Sequence, residues 1–136
     1  MRKTAASGLA MILLMLVTVT GLWAGETVAQ GTFAKKRKPI KGSFVIQQEG
    51  ERLVLILSDD FDTKSGPDLK LVLSKLPLAQ INDKNALQGG NVIIALLQDN
   101  KGGQRYELPA GTQLADFQSV LIHCEKYEVL WGGGDL

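Results

Sequence analysis

Hydrophobic and polar residues alternate in short runs from Gly42 to the end of the chain, which is the period expected of β-strands. Glycine, proline and asparagine separate these runs, and no apolar helical period persists outside the N-terminal leader. Segment 76–91 is predicted to be a long loop with about one helical turn, and 114–117 a single helical turn. The pattern predicts an all-β fold, a single antiparallel β-sandwich or barrel-like domain. Strands are expected at 43–48, 52–58, 69–74, 92–97, 104–108 and on both sides of Glu125-Lys126.

The N-terminal leader has the pattern of a secretory signal peptide. Arg2 and Lys3 precede an apolar run, and small residues follow at Ala24 and Ala29. A cut after Ala29 places small residues at both recognition positions and defines residues 1–29 as the signal peptide. A cut after Ala24 is the alternative, with Leu22 at the less suitable −3 position.

An uncleaved membrane anchor is the second interpretation of the leader, because the uncharged stretch 4–25 is long enough to span a bilayer. Both interpretations place the remainder outside the cytoplasm, as a periplasmic or extracellular protein, and the second tethers it to a membrane. We therefore expect an exported domain.

The remainder divides into a basic linker at 30–41, which begins with the element Gly31-x-Phe33, and a β-sandwich domain at 42–136. Without residues 1–29 it contains 13 basic residues (15 less Arg2 and Lys3) and 13 acidic residues (14 less Glu26). A neutral domain lacks the basic field that general nucleic-acid binding requires, so we expect no nucleic-acid partner.

The only cysteine and the only histidine are neighbours, Cys124 and His123, in the stretch 119–131. Alternation places Cys124 among core positions and His123 on the opposite, exposed face, so a regular strand cannot direct both at one metal ion. Cys124 is a candidate redox thiol or ligand, but most free cysteines are simply buried small residues. His123 is a ligand candidate, but such histidines are more often solvated. The apolar phase changes after Glu125-Lys126, which predicts a bulge or tight turn there.

Counting residues excludes several kinds of site. One histidine and one cysteine are too few for zinc or blue copper, and no motif for covalent haem is present. A non-covalent haem bound through Cys124 or His123 stays open. The sequence shows no nucleophile–base pair of the kind that would indicate an enzyme. Calcium is a further alternative, although the EF-hand spacing is absent and acidic turns are common; its ligands would be Asp59, Asp60, Asp62 and Asp68.

Several short motifs occur in a fixed order along residues 31–136. They are Gly31-x-Phe33, Gly66-Pro67-Asp68-Leu69, Gly103-Gln104-x-Tyr106-x-Leu108-Pro109, Ser119-Val120-x-Ile122-x-Cys124, Tyr127-x-Val129 and Trp131-Gly132. This order resembles the DM-thirteen domain family, a proposed electron-transfer module. The resemblance implies a β-sandwich whose structure depends on Gly66, Pro67, Asp68, Gln104, Tyr106, Pro109, Tyr127 and Trp131.

The family has one characteristic cysteine, which Cys124 matches, and its proposed role is redox, through a bare thiol or a bound haem. This chain departs at the preceding position, which is often tryptophan and here is His123. We therefore expect an exported domain that is linked to electron transfer through Cys124. The alternative is a non-catalytic binding or scaffolding module of the cell envelope.

Overall fold

A computed structural model describes residues 25–136, and the predicted leader lies almost entirely outside them. The described chain is all-β, apart from two short 3-10 turns at Leu78–Gln80 and Leu114–Asp116. The fold class predicted from alternation is therefore confirmed. The strands are β1 (Glu26–Thr32), β2 (Ala34–Lys35), β3 (Ile40–Lys41), β4 (Ser43–Glu49), β5 (Arg52–Leu57), β6 (Asp62–Thr63), β7 (Leu69–Ser74), β8 (Val92–Leu96), β9 (Gln104–Glu107), β10 (Ser119–Cys124) and β11 (Val129–Asp135).

Two antiparallel sheets form the two layers of an open sandwich. One has the strand order β1-β4-β5-β9 and the other the order β2-β11-β10-β7-β8, while β3 and β6 form a small third sheet. The sheets do not close into a barrel, so the sandwich alternative holds and the barrel alternative does not.

The main core lies between the two large sheets and contains the inward residues of β4, β5, β7 and β10. Phe33 contacts both Phe44 and Phe61, with ring centroids 5.1 and 5.4 Å apart. Because Phe33 lies between β1 and β2, its ring joins the end of one sheet to the edge of the other.

The segment 76–91 is a long loop with one 3-10 turn, as predicted, and it covers the outer face of the five-stranded sheet. Leu78, Ile81 and Ala86 of this loop form a second apolar cluster with Leu121 and other outward residues of the sheet. The five-stranded sheet is therefore buried on both faces over much of its area, unlike a simple two-layer sandwich.

The C-terminal glycines Gly132, Gly133 and Gly134 are buried within β11. A Cβ at Gly132 would overlap the backbone oxygen of Ala34, and one at Gly134 would lie 2.6 Å from the oxygen of Thr32. These glycines therefore allow β11 to approach β1 and β2 closely.

The segment expected to be a linker, 30–41, contains β2, β3 and the end of β1. It differs from the expected connector because its backbone pairs with neighbours: Ala34 and Lys35 pair with β11, and Ile40 and Lys41 pair with β6. Likewise, a cut after Ala29 would fall inside β1. Within residues 25–136, no helix has the length and hydropathy needed to cross a bilayer.

A chain that starts at Gln30 should be less stable than one that starts at Gly25. The shorter chain loses the part of β1 in which Glu26, Thr27 and Ala29 pair with Gln48, Gln47 and Ile46. Removal of these backbone hydrogen bonds should lower the free energy of unfolding by on the order of 1–3 kcal/mol. Urea unfolding of the two chains measures the difference, and equal midpoints would show that the first half of β1 contributes nothing.

Gly132→Ala should destabilise the protein by about 3 kcal/mol, because the added methyl group meets fixed backbone rather than a movable side chain. Gly50→Ala is the control: Gly50 has φ +64° and nothing near its Cβ position, so only backbone strain of about 1 kcal/mol is expected. Thermal or urea unfolding compares the two, and an equal loss would argue against crowding at β11.

Candidate functional site

Cys124 lies at the end of β10, between Leu69 of β7 and Val129 of β11 in the register of the sheet. Its side chain has 0% exposure and belongs to the main core, as the alternation predicted. Strand β10 places it there because Val120 and Ile122 point the same way. The thiol is therefore enclosed by apolar side chains.

The surroundings of Cys124 do not fit a haem bound through its sulfur. The thiol is fully buried in a packed core, and a macrocycle at that position would have to displace side chains from both sheets. His123 cannot share such a ligand, because it lies on the opposite face of β10. Any redox reaction of Cys124 would therefore involve its own sulfur and the neighbouring side chains, without a haem bound to that sulfur.

His123 was predicted to be exposed, and the structure corrects this, since only 2% of the residue is accessible. The reason is the segment 76–91, which covers the face that His123 shares with Leu121. Its Nδ1 atom is buried and has no hydrogen-bond partner among residues 25–136. An unpaired polar atom in such a place costs free energy in the folded state.

Among the charged groups around His123, Asp83 has the largest effect on its pKa. Its carboxylate accepts a hydrogen bond of 2.8 Å from the backbone N–H of Leu130, the register partner of His123, and another of 2.8 Å from Arg37. The Leu130 N–H, followed by Arg37, lowers the pKa of Asp83. Burial lowers the pKa of His123 from 6.5, although Asp83, Glu125 and Glu128 oppose the shift.

Arg37 and Asp83 were not predicted as part of this site, because no local sequence motif marks them. They come from segments 46 positions apart and meet only when the 76–91 segment packs on the sheet. The pairing of β10 with β11 also shifts by one residue between Ile122 and His123, which leaves Trp131 as a bulged residue. This bulge and the tight turn at 125–128 account for the predicted change of apolar phase.

Trp131 and Gly66 meet at one end of the sandwich. A Cβ at Gly66 would lie 3.0 Å from the indole ring, so glycine permits this contact. The indole N–H donates to the backbone oxygen of Lys64 at 3.0 Å, and the Lys38 ammonium lies 5.6 Å from the ring centroid. Trp131 thus fixes the loop that connects β6 to β7.

Gln104 and Tyr106 hold the neighbouring loop, between β8 and β9. The Gln104 amide donates to the backbone oxygens of Asp99 and Gly102 at 2.9 and 3.1 Å, and the Tyr106 hydroxyl donates to Gln104. The same hydroxyl accepts the backbone N–H of Gln98 at 2.9 Å. Burial raises the pKa of Tyr106, although the Gln98 hydrogen bond opposes the shift. The side chains of Gln104 and Tyr106 thus stabilise the conformation of this loop.

Three other motif residues lie near turns. Pro67 is exposed beside Gly66, and the backbone oxygen of Pro109 accepts the Thr112 N–H and hydroxyl at 3.2 and 2.6 Å. Tyr127 is 61% exposed at the tip of the β10–β11 turn.

The four aspartates considered for calcium do not converge. Asp60 accepts the Ser58 hydroxyl at 2.6 Å, Asp62 faces Lys101 at 3.9 Å, and Asp68 contacts Lys70 at 3.2 Å. Lys70 also reaches Glu125 at 2.9 Å, and that hydrogen bond is the main reason its pKa is raised. Among residues 25–136, no group of three or more candidate ligands could hold a metal ion.

The described chain is a small antiparallel β-sandwich with one buried thiol. Comparison with models of known families identifies the family to which it belongs. The model of the family described as Electron transfer DM13 matches residues 32–133, which is three quarters of the chain. The chain belongs to this family, as the motif order indicated. No curated protein and no solved structure gives a significant match.

Lowering the pH from about 7.5 to 5 should destabilise the protein through His123. Because burial holds its folded pKa below 6.5, the unfolded chain binds the proton more tightly as the pH falls through 6.5 towards the folded pKa. The stability present above 6.5 is therefore lost in that window. Each tenfold difference in proton affinity between the folded and unfolded chains corresponds to about 1.4 kcal/mol.

His123→Leu should remove this loss and, by eliminating the unpaired Nδ1, should be no less stable than the native chain at pH 7.5. Urea unfolding of both proteins at several pH values measures the difference, which separates His123 from Asp83 and other titrating groups. Parallel pH profiles for the two proteins would contradict the assignment.

Proposed function

We propose that this chain is an exported electron-transfer domain, periplasmic or extracellular, in which Cys124 is the redox residue. Membership in the Electron transfer DM13 family supports the electron-transfer class. The burial of the only cysteine within the main core is the observation that carries the assignment to Cys124. Export rests on the signal-like leader, either cleaved or retained as an anchor.

The burial of Cys124 favours exchange of electrons over exchange of sulfur bonds. Thiol–disulfide exchange requires direct attack on an accessible sulfur, and the Cys124 side chain has 0% exposure. Trp131 and Tyr106, whose side chains can also give up one electron, belong to the same core. Trp131 also contacts Lys38 and the backbone of Lys64, so this core contains an oxidisable side chain at its edge.

A non-catalytic binding or scaffolding module of the cell envelope is the second candidate function. The enclosed thiol favours it, because most free cysteines in apolar cores only fill space. In this case Cys124 would contribute packing alone, and the loops at the Trp131 end would bind a partner.

A mediated redox titration of the purified protein separates the two functions. The mediator serves as oxidant and reductant: oxidation of the native chain should remove one electron and the thiol proton of Cys124, the proton passing to solvent, and reduction should return both. Cys124→Ala should show no exchange at the same potential. Val120→Ala is the matched control, because it truncates another fully buried core residue of the same strand face and should retain the exchange. A thiol reagent should react with Cys124 only after unfolding.

Absence of electron exchange in the native protein, or equal exchange in Cys124→Ala, would reject the role of Cys124. The binding module would then be the better description. Loss of exchange in both Cys124→Ala and Val120→Ala would show that core packing, and not the sulfur atom, is required.

A further inference from the structure

A cleft beside the small third sheet has the size and charge of a ligand site. It has a volume of about 630 Å³, and the residues that line it include Lys41, Asp62, Lys64, Ser65, Asn100 and Lys101. Pockets that bind small molecules commonly have volumes of about 300–1,000 Å³. Three lysines and one aspartate give this lining a positive excess.

The backbone register brings these charges together. Lys41 of β3 pairs with Asp62 of β6, and Asp62 also forms an isolated bridge with Lys101. Directly opposed residues of antiparallel strands project from the same face, so the three side chains form a row across the cleft. Lys64, two residues after Asp62, also lines the cleft.

One carboxylate cannot neutralise this row. Asp62 approaches Lys101 at 3.9 Å, whereas Lys41 and Lys64 have no carboxylate within 4.0 Å among the residues described. Lys70, by contrast, lies between Asp68 and Glu125 at 3.2 and 2.9 Å. The cleft therefore carries unpaired ammonium groups that a bound anion could neutralise.

The walls of the cleft are fixed by hydrogen bonds before any ligand binds. The Thr63 hydroxyl donates to the Pro39 oxygen at 2.8 Å, and the Asn100 amide donates to the Thr63 oxygen at 3.0 Å. The Thr63 N–H in turn donates to the Asn100 oxygen at 2.9 Å. A preformed site spends little free energy on ordering its own groups.

The motif residues described above hold both sides of this cleft. Trp131 binds the backbone of Lys64, and Gln104 ties the loop that contains Lys101. We propose that this lysine cleft binds a small polyanion, a molecule with two or more phosphate or carboxylate groups. Lys41, Lys64 and Lys101 bind its charges, and Ser65 and Asn100 offer polar contacts at its edge.

Isothermal titration calorimetry at low salt tests the proposal, with inorganic pyrophosphate and citrate as probes. The chain should bind at least one probe with one site per molecule, and added sodium chloride should weaken the binding. The triple variant Lys41→Gln, Lys64→Gln, Lys101→Gln should weaken it at least about 10-fold. The matched control, Lys75→Gln, Lys84→Gln, Lys126→Gln, removes the same charge from exposed lysines outside the cleft and should bind like the native chain.

Asp62→Asn should increase the affinity for the probe, an effect that misfolding could not produce. Removal of the only carboxylate in the lining should tighten binding by about 2- to 5-fold. The proposal is overturned if neither probe binds, if the two triple variants weaken binding equally, or if Asp62→Asn also weakens it. Vesicles of phosphatidylglycerol serve as a separate probe, and binding to vesicles alone would overturn the proposal in favour of a membrane surface. All of these variants keep Cys124, so the redox titration is judged independently.

Discussion

The close approach of β11 to its neighbours is the constraint on which this sandwich depends. Three consecutive buried glycines allow the last strand to pair with β10 while it lies against the backbones of β1 and β2. Side chains at Gly132 or Gly134 would separate these backbones. Because Phe33 lies in the same corner and contacts Phe44 and Phe61, the packing of the aromatic core follows from the glycine contact.

The second constraint is the cover that segment 76–91 forms over the five-stranded sheet. Asp83 ties this cover to the backbone of Leu130 and to Arg37, and the apolar residues of the cover bury Leu121. The same arrangement encloses His123 without a hydrogen-bond partner for Nδ1 among the described residues, which lowers the stability of the folded state. The burial of His123 and the lowering of its pKa thus result from the cover formed by segment 76–91 and not from strand β10 alone.

Two chemically different regions result from this architecture. Cys124 is enclosed in the apolar core, out of reach of reagents in solution. The lysine cleft is open to solvent and preformed at the Trp131 end of the sandwich. Trp131 belongs to the core and also holds the loop that carries Lys64, so it connects the two regions.

The sequence by itself determined the all-β class, most strand positions, the inward direction of Cys124 and the family. These depend on local alternation, turn residues and motif order, which can be read along the chain. The tertiary structure decided the strands at 26–41, the burial of His123 and the role of the C-terminal glycines. Each of these depends on which distant segment packs against the residue, as Asp83 and Arg37 do around His123, and no local pattern contains that information.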